Sequence, residues 1–132
     1  MPELSEEPLV MKTQKTIQAY LEKWTYSMGL RWWKVDAYYL TGKDAKKEFG
    51  ELDNNHHIVA RSFADWRYLE ASIYFNMPEM RKLSNEQIEN TVIHELCHVL
   101  VNEMREGALH HEERVVTCLS RAFKWTHENS SE

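Results

Sequence analysis

Apolar positions recur at helical spacing in three stretches of the chain and alternate, as in strands, between the first and second of these. Ile17, Tyr20, Leu21, Trp24 and Met28 form one stripe of a helix that Gly29 is placed to stop. Trp33, Val35, Ala37 and Tyr39 then alternate along the chain, the pattern of a half-buried strand. Ile58 to Phe63 and Ala71 to Asn76 read as two more strands, joined around Asp65 and Trp66, with Pro78 closing the last. Between the first two strands, Thr41 to His57 carries glycine, charges and Asp53-Asn54-Asn55, and reads as a mobile connection.

The second helical stretch has a marked start. Ser84 is placed as an N-cap, with Gln87 three residues later to complete a capping box. Nothing breaks a helix from there to about Met104. Ile88, Val92, Leu96 and Val99 form one stripe, and Ile93, Cys97, Leu100 and Val101 carry apolar character around most of the circumference, so this helix is expected to be buried on most sides. After Gly107, the stretch from His110 to Phe123 is helical by pattern through Val115, Val116, Leu119, Ala122 and Phe123. The expected fold class is α+β: an N-terminal helix, a small three-stranded sheet and two C-terminal helices.

With 132 residues the chain has room for one core. A single domain is expected over 13–128, after a flexible N-terminal tail at 1–12 and before a short C-terminal tail from Asn129. The formal net charge of −5 argues against general nucleic-acid binding. No apolar run approaches a membrane span and no signal peptide is evident, so a cytoplasmic protein is expected. The two cysteines, Cys97 and Cys118, fit a reducing compartment and read as two small buried thiols at a helix contact. His56 and His57 read as surface residues.

The chemistry is concentrated in His94-Glu95-Leu96-Cys97-His98, an HExxH motif inside the capped helix. Residues four apart share a helix face, so His94 and His98 can reach one metal ion, and two imidazoles at that spacing suit Zn²⁺. Glu95 lies beside them, where it can take a proton from a water at the metal. The competing reading is a pair of core histidines bonded to backbone. It would require separate partners for three polar groups on a largely buried helix. Cys97 points away from the two histidines on a helical wheel and is not expected to be a ligand.

A catalytic zinc needs a third protein ligand and an open position. Val101 and Met104 stand where metzincins have glycine and histidine, which excludes that class. The His94–Val101 stretch followed by Glu112-Glu113-Arg114-Val115-Val116 resembles the gluzincin type of zincin, and the order of elements resembles small metallopeptidases of phages and bacteria. The resemblance implies a zincin-like domain with Zn²⁺ held by His94, His98 and a glutamate on the next helix. In many gluzincins a polar residue follows that glutamate by four positions. Thr117 stands four after Glu113 and Val116 four after Glu112, which favours Glu113. Where the family usually has an acidic residue, this chain has Thr117. His110 or His111 is the rival third ligand, as in SprT-like proteases.

The expected function is that of a zinc metallopeptidase acting on a peptide or protein substrate, with Glu95 as general base. His110, His111, Tyr68 and Tyr74 are candidate donors to the oxyanion. The alternatives are a zinc-stabilised binding module without turnover and a non-peptidase hydrolase using the same site. Ala71 to Asn76 is expected to be an edge strand above the metal, open to pairing with an extended substrate.

Overall fold

The computed structural model describes residues 2–50, 58–102 and 112–129, the side chains of 2–8 and 112–114 excepted. Its architecture is α+β. Helix α1 (Pro2–Ser27) leads through a turn into β1 (Lys34–Leu40). A short helix α2 (Gly42–Phe49) precedes the hairpin of β2 (Ala60–Asp65) and β3 (Glu70–Asn76). One turn of helix, α3 (Met77–Met80), leads to α4 (Asn85–Leu100), and α5 (Glu112–Glu128) follows. Among the described residues no helix is long and apolar enough to cross a membrane.

The α1 stripe behaves as its spacing predicts. Ile17, Trp24 and Met28 are buried, with Tyr20 and Leu21 packed beside them. Gly29 takes φ 76°, and the Leu30 N–H returns to the Thr25 carbonyl at 2.9 Å, the closing bond of a Schellman turn. At the other end α1 begins at Pro2, where a tail over 1–12 was expected. Proline suits a first helical turn. The same stretch had read as an acidic, proline-containing tail.

The sheet has the order β1-β3-β2. β1 runs parallel to β3 with Ala37 opposite Ile73, and β2 runs antiparallel with Ser62 opposite the same Ile73. Ala71, Ile73 and Phe75 point into the core, as do Ala60 and Ser62, and Val35, Ala37 and Tyr39 pack against it. β3 is therefore the central strand, paired along both sides. This corrects the expectation of an edge at Ala71 to Asn76. A strand with polar Ser72 and Tyr74 on its outer face looks the same from sequence whether one or two strands flank it. The edges are β1 and β2.

Thr41 to Phe49 is also not the loop that its charges suggested. In α2 only Ala45 and Phe49 are buried, four residues apart on one face, and Gly50 at φ 76° ends the helix. Two apolar positions are too few to register as periodicity. Residues 51–57, including His56 and His57, lie outside the described residues.

α4 forms the spine of the core. Its capping box is present: the Gln87 N–H donates to the Ser84 hydroxyl at 3.2 Å, and the Ser84 N–H to the Gln87 side chain at 2.9 Å. Ile88, Val92, Ile93, Leu96, Cys97 and Val99 are buried between α1, α5 and β2. Each such aliphatic side chain stabilises the fold by about 1.5–3 kcal/mol of burial. The regular helix ends at Leu100, short of the expected Met104, and Leu100 is exposed rather than part of the buried surface. On α5, Val116 is fully buried and Leu119 and Phe123 pack on the core. Helix α5 continues to Glu128, past the end of the apolar pattern at Phe123.

Candidate metal centre

His94 and His98 both stand on α4, one turn apart. Their ring centres are 5.0 Å apart and the planes are inclined by 73°. A zinc ion about 2.1 Å from one nitrogen of each ring, at a tetrahedral angle, sets the ring centres about 5 Å apart. The observed separation matches the spacing expected of two imidazoles on one metal ion. Both are half-buried, while Glu95 between them is buried. Among the described residues, no cluster of three or more His, Cys, Asp or Glu side chains could hold a metal. The described donor set is therefore these two histidines.

α4 and α5 run antiparallel. Lys124 donates to the Asn90 side chain at 3.1 Å, whereas Thr117, nearly two turns earlier on α5, shares a cleft with His94. Glu113 precedes Thr117 by one turn, so its backbone lies toward the His98 end of the helix pair. The side chains of Glu112 and Glu113, and all of His110 and His111, lie outside the described residues.

Two clefts meet at His94. The first, about 370 Å³, runs between α4 and α5, with Glu86, Asn90 and His94 on one side and Thr117, Arg121 and Trp125 on the other. The second, about 420 Å³, lies between α4 and the start of β2. Ile58, Val59 and Ala60 form one wall, and Asn90, Thr91, His94 and Glu95 the other. Glu95 and His94 are thus brought to one opening, beside the edge strand β2. The Trp66 N–H at the far end of β2 donates to the Asn102 side chain at 3.1 Å, which fixes this strand along α4.

Neither tyrosine considered for the oxyanion lines these clefts. Tyr74 projects from the opposite face of β3, stacked on Tyr38 at 4.9 Å and edge-on to Phe63. Tyr68 is exposed in the β2–β3 turn. Cys97 is buried, and burial pushes its thiol pKa up despite an opposing hydrogen bond with Ser120. Cys118 is exposed, and both cysteines are free, so the expected pair of buried thiols is half right. Cys118 lies two residues past buried Val116, about 200° around the helix, which turns it outward.

A second polar station on α4 had no sequence signal of its own. Glu89 accepts from the Trp24 indole at 2.8 Å and from Lys23 at 3.0 Å, with Lys124 at 3.6 Å. Burial pushes its pKa up, but the Trp24 and Lys23 hydrogen bonds and the Lys23 and Lys124 charges outweigh it and hold the carboxyl below the usual glutamate value. Asn90, Arg121 and Trp125 also went unnoticed, although a signal existed: Glu86, Asn90, His94 and His98 recur every four residues, as do Thr117, Arg121 and Trp125.

Compared with protein-family models, curated proteins and solved structures, the chain matches none of them.

Proposed function

We propose that the protein is a zinc-dependent hydrolase, a metallopeptidase of minimal zincin-like form. The observation that carries this reading is the opening shared by His94 and buried Glu95 beside an edge strand, with His98 one turn further at zinc-bridging distance. His94 and His98 would hold the metal, and Glu113 is the preferred third ligand. Bound zinc supplies a Lewis acid and a water of lowered pKa. Glu95 accepts the proton from the attacking water and passes it to the leaving amine. Its buried position supports catalysis over a merely structural metal, which has no use for a base at that place.

The substrate class follows from β2. An edge strand presents unpaired N–H and C=O groups, and an extended peptide can pair with them. Such a peptide along β2 passes the opening that holds Glu95. Glu95→Gln tests the reading: zinc content and fold should persist while hydrolysis of an unstructured peptide mixture falls by about a hundredfold or more. Full activity in that variant, or loss of zinc from a folded one, overturns the assignment. Zinc affinities of Glu113→Ala, Glu112→Ala, His110→Ala and His111→Ala decide the third ligand. A loss confined to a histidine variant favours a three-histidine, SprT-like site.

A further inference from the structure

The cleft between α4 and α5 contains a cation that the fold does not use. Arg121 is exposed, lines the same cleft as His94, and forms no ion pair or hydrogen bond with another described residue. Its neighbours are differently placed. Lys124 is committed to Asn90, Glu89 and Glu128. Glu86 lines the cleft but stands beyond ion-pair distance of Arg121. In a chain of net charge −5, a guanidinium left open in a cleft beside the metal centre is a recognition element.

We propose that Arg121 binds a carboxylate of the substrate and makes the enzyme selective for acidic peptides. The inference rests on the hydrolase reading of the His94–His98 site. Guanidinium and carboxylate form paired, charge-assisted hydrogen bonds, a geometry that lysine does not offer. Arg121 lies one helical turn beyond Thr117, about 6 Å along α5. An extended peptide covers that span in about two residues. Exposed Trp125, one turn further, offers a face for an apolar side chain beyond the carboxylate.

The test uses full-length zinc-loaded Glu95→Gln protein, which binds peptides without cutting them, and the same protein without metal. The probes are acetylated, amidated alanine hexapeptides with a single Asp, or a single Asn, at each position in turn. An alanine peptide with a free C-terminal carboxylate, against its amide, separates a terminal carboxylate from a side-chain one. Calorimetry should show the carboxylate form binding about three- to tenfold tighter than its amide partner at one position. Arg121→Ala should abolish that ratio and Arg121→Lys should keep only part of it, with zinc content unchanged. Equal binding of acid and amide, no binding of either, or a ratio that survives Arg121→Ala overturns the inference. If the Arg121-dependent ratio appears but the parent protein cuts no peptide, the carboxylate site stands and the hydrolase reading fails. If peptides are cut without the ratio, the reverse holds.

Discussion

Two polar stations on α4 invite comparison because they share one helix and differ in what surrounds them. At Glu89 the carboxylate is enclosed by Trp24, Lys23 and Lys124, and so ties α1 and α5 to α4. Five residues later the helix turns His94 toward two clefts, with Glu95 at the mouth of one of them. Burial alone does not separate these stations, since Glu89 and Glu95 are both buried. The geometry does. Glu89 is enclosed by partners from two other helices, α1 and α5, as a cross-brace is. His94 and Glu95 border an open cleft beside β2, and His98 stands one turn further along the helix. A buried acid is a functional candidate when the space beside it is open and a structural one when that space is filled.

Substitutions should separate the two stations, and the largest effect is expected at the histidines. His94→Ala or His98→Ala should weaken zinc binding by more than about a hundredfold and abolish turnover. The metal-free fold should be nearly unchanged, because both side chains are only half-buried. Metal titration followed by thermal unfolding with and without chelator checks both halves. Unaltered zinc affinity in either variant breaks the comparison.

Glu89→Ala should do the opposite. It strands the Trp24 indole and removes the counter-charge of Lys23 and Lys124, at a cost of about 2–3 kcal/mol in denaturant unfolding. Zinc affinity should stay within about twofold of the parent, since the histidines face elsewhere. The pH dependence follows from the lowered carboxyl pKa of Glu89. A glutamate with a depressed folded-state pKa contributes fully above its unfolded value of about 4.3, and the contribution is lost as pH falls through the folded value. The acid limb of the stability curve should therefore be shallower in Glu89→Ala. An identical acid limb removes Glu89 from the account of stability.

Trp24→Phe is the finest probe. It keeps the apolar core and both lysines but removes the indole donor to Glu89. A loss of about 1 kcal/mol is expected, measured by denaturant unfolding. A loss as large as that of Glu89→Ala assigns the brace to Trp24 packing instead of to the carboxylate.

Much of this was legible in the sequence because it is written in local patterns. The Ser84–Gln87 capping box, the Gly29 stop and the four-residue spacing of His94 and His98 depend on neighbours along the chain, and all three stand in the structure. Strand order depends on pairings far apart in sequence. Ala71 to Asn76 therefore read as a plausible edge although β1 and β2 enclose it. The Glu89 brace was hidden for the same reason, since its partners lie 65, 66 and 35 residues away. Arg121 was hidden differently. Its four-residue step from Thr117 was present, but on an exposed helix face a charged residue is ordinarily just solvated.

The central claim is that α4 carries a metal centre, and counting zinc bound per chain tests it most directly. After zinc loading and removal of excess, the parent protein should retain about one equivalent, released by protons as pH falls because neutral imidazole is the ligand. Retention below about 0.2 equivalents in folded protein, or one equivalent that survives removal of both His94 and His98, contradicts it.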